Sequence, residues 1–290
     1  MLLSAILTGL VLGGTYALVA MGLTLQYGVA RIMNLAYGDV IIAASFGAYV
    51  LFNIFGINPI LAMLLVIPAG FALNYFIYSI MLQPLARRSR DRGRLEGDSI
   101  LATFGLLFVI QGVVLVLFGA NYMSYSFLAV PIDVLGTTIA ANRLLALVLA
   151  IVFAIGLWVL LTRTRFGTVI RAVAANPASA PLVGINVDSV ARFAFALGGA
   201  MAAAGGVVIS MYLTFSATMG VVFTMKALIV VIMGGVGNLM GALAAGLILG
   251  LVETLVSTYI DPGLTLASTY LIFLAVLVVR PQGLFGKASS

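Results

Sequence analysis

The chain is a succession of long apolar runs with little between them. The runs cover residues 2–25, 40–55, 60–82, 100–118, 144–161 and 193–215, then a broken pair, 227–236 and 242–260, and finally 264–279. A spanning helix needs about 20 apolar residues. Lipid offers no water to an open backbone, so apolar runs of this length must close their hydrogen bonds internally as helices. Barrel strands would be shorter and would alternate apolar with polar residues. Charged residues make up only 8% of the 290, against about 25% in soluble domains. The runs therefore predict an all-α polytopic membrane protein, one domain over residues 1–290 with about eight transmembrane helices. The first run opens Met-Leu-Leu-Ser without Lys or Arg, and it is too long for the core of a cleaved leader, which predicts a retained span.

Residue types that are missing exclude much chemistry. The chain has no Cys and no His. That removes thiolate metal sites, disulfides and cysteine nucleophiles, together with the commonest general base and metal ligand. An intramembrane serine-histidine protease is impossible. An aspartate protease is disfavoured because Ala36-Tyr37-Gly38-Asp39 has Ala where the motif needs its first Gly, and no second membrane Asp stands out.

Two runs depart from plain spans. The stretch 227–236 makes only about 15 Å of helix before it meets Gly234, Gly235, Val236, Gly237 and Asn238. It is too short to cross alone, which predicts a re-entrant or discontinuous helix lining a protein or water cavity. Asn34-Leu35-Ala36-Tyr37-Gly38 likewise precedes a short helix. Such paired interruptions predict an internal repeat with a translocation path between its halves. Candidate path or gate residues are Asn34, Tyr37, Asp39, Gly234, Gly235, Gly237, Asn238 and Glu253. Asp39 begins a helix, so N-terminal capping is its first expected role. Glu253 lies inside an apolar run, where a charge costs several kcal/mol unless paired or wet; a hydrogen bond between helices is expected. Lys226 is expected to snorkel from the outer end of a short helix. Small residues recur as stripes at Gly9, Gly13 and Ala17, at Gly198, Ala202, Gly206 and Ser210, and at Gly241, Ala245, Gly246 and Gly250. Such stripes let helix backbones approach closely.

The segment 162–192 is a basic, loop-like island. If it is cytoplasmic, the same side holds Arg31, Arg87, Arg88, Arg90, Arg92, Arg94, Arg163, Arg165, Arg171, Arg192, Arg280 and Lys287, leaving only Arg143 and Lys226 elsewhere. Twelve against two predicts an outside N-terminus and a cytoplasmic C-terminus by the positive-inside rule. Lipid headgroups are expected neighbours of these loops, and nucleic acid is not an expected partner. Within the island, Pro177 and Pro181 bracket Ala178, Ser179 and Ala180. Because Pro starts helices readily, a short helix is predicted over 177–183.

These residues carry a family resemblance over essentially the whole chain. Arg171, Ala172, Ala180 and Gly184-Ile185-Asn186-Val187 resemble the GxxxRAxxxNxxxAxxxGIxV signature of the permeases that import branched-chain amino acids, an ABC importer family. Gly14-Thr15-Tyr16-Ala17-Leu18 through Tyr27-Gly28 resembles that family's opening span, and Ile32-Met33-Asn34-Leu35-Ala36-Tyr37-Gly38-Asp39 its INxAHGE block. Thr103, Gly105, Gln111-Gly112, Lys226-Ala227, Gly234 to Gly237 and Arg280-Pro281-Gln282-Gly283-Leu284-Phe285-Gly286 follow in family order. Tyr37 and Asp39 replace the family's His and Glu, and Asn238-Leu239-Met240 replaces a Ser-Ile-Pro type turn, which widens the range of possible cargo to related amino acids, amides and organic acids.

The resemblance implies one half of a pore in a bacterial inner membrane. It also implies a sister permease paired with this chain as a heterodimer, two ATPase subunits and a periplasmic solute-binding protein. No cofactor is implied in the chain itself; ATP and Mg would sit in the partner ATPases, since the G-x-x-x-x-G-K-[ST] phosphate loop is absent here. The segment 162–192 would be the coupling loop, with Arg171 as a charged anchor, Pro177 starting the docking helix, Ala180 and Gly184 supplying its close-packed face, and Ile185 beside it. A self-contained secondary transporter or channel is the alternative. It accommodates broken helices and a buried acid but leaves the basic island unexplained.

Overall fold

In the computed structural model, which describes residues 2–89, 92–134 and 136–286, the apolar runs fold as helices. Helix α1 covers Leu2–Ala30 and ends at Arg31, whose φ of +56° turns the chain out of the helix. After an irregular stretch comes the short α2, Tyr37–Asn53. Helix α3, Pro59–Ile77, runs through a π turn at Tyr78–Leu82 into α4, Gln83–Arg88. The wide turn immediately precedes Pro84, which has no N–H to offer the preceding turn. Helix α5 is Arg92–Phe118. A two-stranded antiparallel hairpin follows, β1 Pro131–Val134 and β2 Thr137–Ala140, with Pro131 opposite Ala140. Then come α6 Ala141–Arg163, α7 Arg165–Ala175 and α8 Val187–Ser210. The chain closes with α9 Gly220–Gly234, α10 Leu239–Tyr259 and α11 Thr265–Val279. Among the described residues eight helical segments are long and apolar enough to cross a membrane, with α2 as a shorter apolar helix.

The order of long helix, irregular break, shorter helix and two further apolar helical segments occurs twice, once from α1 to α5 and once from α8 to α11. The two leading helices run antiparallel where they meet. Val19 lies against Gly205, Gly22 against Gly198 and Met201, and the Gln26 side chain bonds the carbonyl of Phe195. The sets are thus inverted relative to each other. In this order the break before α2 is matched by the irregular stretch Met211–Ser216 before α9, not by Gly234–Asn238 as predicted.

The centre of the bundle is α8, which is buried nearly all round and built of Gly198, Gly199, Ala200, Ala202, Ala203, Ala204, Gly205 and Gly206. Small side chains on every face let α1, α2 and α3 press against it together. The first and third glycine stripes pack on one another. A Cβ on Gly13 would lie 2.8 Å from the Cα of Leu247, and one on Gly246 would lie 2.6 Å from the Cα of Ala17. Large apolar side chains on α3, α5, α6 and α11 point outward, among them Leu64, Leu101, Val152 and Leu271.

Other expectations change in detail. Helix α9 begins at Gly220, seven residues before the apolar run, behind a 3-10 turn at Ala217–Met219; the combined segment is long enough to cross. The length argument for a re-entrant segment therefore falls, because Thr224 and Lys226 break the apolar run without breaking the helix. The loop-like island contains α7, with Ile170 and Val173 buried. The helix predicted over 177–183 is a single 3-10 turn, Ala180–Val183. Arg90 and Lys287 lie outside the described residues, as does the side chain of Arg92.

Candidate translocation path and coupling surface

The irregular stretch 31–36 is held by side chains that replace the missing helical bonds. Asn34 accepts from the N–H of Ala36 at 3.1 Å and donates to Oε1 of Gln26 at 3.0 Å. Gln26 in turn donates to the carbonyl of Phe195 on α8. The Thr103 hydroxyl accepts from the N–H of Leu35 and donates to the carbonyl of Met33. Tyr37 is fully buried and donates to the carbonyl of Val19 at 2.8 Å, with the carbonyl of Gly198 at 3.3 Å. It clasps α1 to α8. Buried irregular backbone requires such partners.

Asp39 does not cap α2. Ala36 occupies the N-cap position without a side-chain bond, and Asp39 sits inside the first turn. Its side chain is buried, 1% exposed, and neither carboxylate oxygen has a hydrogen-bond partner among the described residues. It lies against Gly220, so the first turns of the two short helices meet here. The joint is fastened by Thr224, whose Oγ1 accepts from the N–H of Gly38 at 2.8 Å and lies 3.1 Å from the carbonyl of Leu35. Thr224→Val keeps the shape and strands these two backbone groups, so it is expected to cost about 1–3 kcal/mol, read as a lowered Tm of the purified protein.

Glu253 and Lys226 form a buried pair. Lys226 is not at a helix end; it lies inside α9, and its Nζ stands 2.9 Å from Oε1 and 3.0 Å from Oε2 of Glu253 on α10. Their side chains are 15% and 5% exposed. Tyr16 of α1 donates to Oε2 at 2.7 Å, and Thr269 of α11 donates to Oε1 at 2.7 Å. Nζ also donates to the Tyr16 hydroxyl and lies 4.7 Å from the ring centroid. Four helices are thereby joined around one carboxylate. The expected hydrogen bond between helices is present, and snorkelling is not the role of Lys226. An acid inside one apolar run and a lysine at the edge of the preceding one were the signal for this pair, since an unpaired charge would be costly at that depth. Tyr16 and Thr269 carried no such mark.

Gly234, Gly235, Gly237 and Asn238 form the turn between α9 and α10, away from Asp39 and Glu253. Gly235, at φ +101°, ends α9 in a conformation closed to other residues. The C-terminal segment docks on this turn: Leu284 and Phe285 donate their N–H groups to the carbonyls of Met233 and Gly234. Asn238 caps α10 by accepting from the N–H of Gly241, and its amide bonds the carbonyl of Phe285. The turn thereby holds Leu284 and Phe285 in place.

The coupling candidates lie at the basic end of the bundle. Arg171 is exposed on α7, which begins with Thr164 as N-cap, its hydroxyl accepting from the N–H of Gly167. Pro177 is half-buried in the turn that follows. Ala180 is 4% exposed and packs inward, so it cannot supply an outer face. Its carbonyl accepts from the N–H of Ile185. Gly184, with φ +77°, is exposed and closes this turn. The outward residues are Leu182 and Val183, 86% and 74% exposed, which sequence inspection passed over. At the same end Arg87 pairs with Asp188, Arg192 bonds Gln83, and Arg31 reaches the carbonyl of Ala174.

Comparison with known proteins places this arrangement. Residues 5–280 match the family described as branched-chain amino acid transport system, permease component. The chain is 28% identical to the high-affinity branched-chain amino acid transport system permease protein LivH of Escherichia coli, over 98% of this chain and 96% of that protein. It is 25% identical, with the same coverage, to the corresponding BraD protein of Pseudomonas aeruginosa. Among solved structures, PsaBC from Streptococcus pneumoniae in complex with Fab superposes with a TM-score of 0.51 at 12% identity, over 97% of this chain and 92% of that one.

Proposed function

Because the chain belongs to the family of branched-chain amino acid transport system permease components, we propose that it carries branched-chain amino acids or a closely related solute into a bacterial cell as one half of an ATP-driven pore. The match to this family along nearly the whole chain is the observation that carries the proposal. The other half would be a sister permease, an external binding protein would deliver the solute, and two ATPase subunits holding ATP and Mg would drive the cycle. The path would run between the inverted halves, past the joint of α2 and α9 at Asp39. Orientation follows from charge. Arg163 at the end of α6, together with Arg31, Arg87, Arg171, Arg192 and Arg280, marks one end of the bundle, and Arg143 at the start of α6 stands at the other. The positive-inside rule then makes the Arg-rich end cytoplasmic, with the N-terminus outside the inner membrane.

At that cytoplasmic end Leu182 and Val183 form a small exposed apolar tip on the turn that follows α7, the helix that carries Arg171. This is the surface we assign to the ATPase, with Pro177, Ala180, Gly184 and Ile185 shaping the turn from beneath. Leu182→Asp is expected to remove ATPase subunits from the purified complex, or to uncouple their hydrolysis from solute, while membrane insertion and Tm stay unchanged. The check is co-purification followed by ATPase and leucine-uptake assays in proteoliposomes. Full coupling in L182D would remove this surface from the mechanism, and a chain that transports leucine with no ATPase present would overturn the importer.

A further inference from the structure

A cleft of about 570 Å³ opens at the end opposite the Arg-rich end, between α1, the start of α6 and α10. That volume is within the usual range for small-molecule sites. Its lining is polar for a membrane bundle. Arg143, Ser4, Thr8 and Ser257 all face it, half-buried, and none makes a side-chain hydrogen bond among the described residues. This is a choice of geometry, since Thr254 and Thr258 in the same wall turn their hydroxyls back to the carbonyls four residues earlier. Glu253 at the floor is already neutralised by Lys226 and saturated by Tyr16 and Thr269. The cleft therefore presents one unpaired guanidinium, three free hydroxyls and no free anion. An Arg fork pairs most favourably with a carboxylate, by two parallel charge-assisted bonds.

We propose that this cleft is the outer receiving site of the permease, in which Arg143 binds the carboxylate of the incoming solute while Ser4, Thr8 and Ser257 complete its hydrogen bonds. The proposal rests on the import reading above. A solute released by a binding protein would meet Arg143 before it reached the joint of the short helices.

The test uses the full complex of both permeases and both ATPases in nanodiscs, without binding protein, and equilibrium dialysis of three radiolabelled probes. These are leucine, 4-methylpentanoate (leucine without its amine) and 3-methylbutylamine (leucine without its carboxylate). The wild type is expected to bind the first two and not the third. Arg143→Gln should weaken both by about tenfold or more, as expected for loss of a charge-assisted bond, and Arg143→Lys should recover part of the affinity. Equal binding of the carboxylates by R143Q and wild type overturns the proposal, as does binding of the amine alone. Phosphatidylglycerol that displaces 4-methylpentanoate from phosphatidylcholine discs would assign the cleft to a lipid headgroup. Loss of the sister subunit from R143Q, with carboxylate affinity intact, would make the cleft an interface. ATP hydrolysis and leucine uptake of the wild type with binding protein are measured alongside. Their absence strikes the import reading, whereas their presence with unchanged R143Q binding strikes only the cleft.

Discussion

Replacing Lys226 with Ala is expected to destabilise the permease by about 3–5 kcal/mol, because it leaves the Glu253 carboxylate buried without its countercharge. Tyr16 and Thr269 still donate to that carboxylate, but two neutral donors do not replace an ammonium 2.9 Å away. The effect should appear as a lower Tm in detergent and less protein in the membrane. A second substitution separates the charge from the position. In Lys226→Met with Glu253→Gln, both charges leave together, and Gln still offers an oxygen to Tyr16 or Thr269. Most of the lost Tm should return, since a buried pair exchanged for uncharged groups of similar volume is often close to neutral. A single Lys226→Ala with unchanged Tm would show that the pair is wet enough to be screened.

The second large effect concerns the seam between α1 and α10. A Cβ on Gly250 would collide with the backbone N and Cα of Gly13. Backbone cannot step aside as a rotamer can, so the helices must separate along their length. Overpacking usually costs about 1–3 kcal/mol, and here the same separation also strips the contacts at Gly9 and Gly246. Gly250→Val is expected to yield little folded protein, and even Gly250→Ala to lower Tm measurably. The control is Gly156→Ala on α6, where an added Cβ meets nothing within 4 Å. That change should be neutral or slightly stabilising through helix propensity, by up to about 1 kcal/mol. Equal effects at Gly250 and Gly156 would mean that the seam is not a close-packed one.

What could be read from the chain depended on whether a residue's role is local. Apolar runs mark spans because the bilayer demands them, and the paired glycine stripes mark a seam because only small residues allow it. The start of α9 was hidden: Thr224 and Lys226 look like a border until the partners that make them affordable at depth, Leu35, Gly38 and Glu253, are seen. Helix α7 did carry a signal, with Phe166, Ile170 and Val173 on one face at helical spacing, but a search for long apolar runs overlooks an amphipathic helix. Ala180 had the size of an interface residue, and size alone does not say which side of a turn an alanine faces. Gly234 to Asn238 were assigned to the path on their irregularity. What the sequence did not reveal is that this irregular backbone receives Leu284 and Phe285, a contact between residues about fifty positions apart that no spacing rule reports.

The antiparallel seam also sets a constraint on how the protein is made. Gly13 and Gly246 meet in the finished bundle but lie 233 positions apart in the chain. At about 5–20 residues per second of synthesis, α1 waits roughly 10–50 seconds before the face it must seal against has been translated. Its other close neighbour, α8, arrives only slightly earlier. During that interval α1 exposes its stripe of glycines to lipid or to the insertion machinery, and a truncated chain ending before α10 has nothing to close it. Quality control that recognises an unsealed glycine stripe would therefore detect incomplete chains through α1, and not at the point where synthesis stopped.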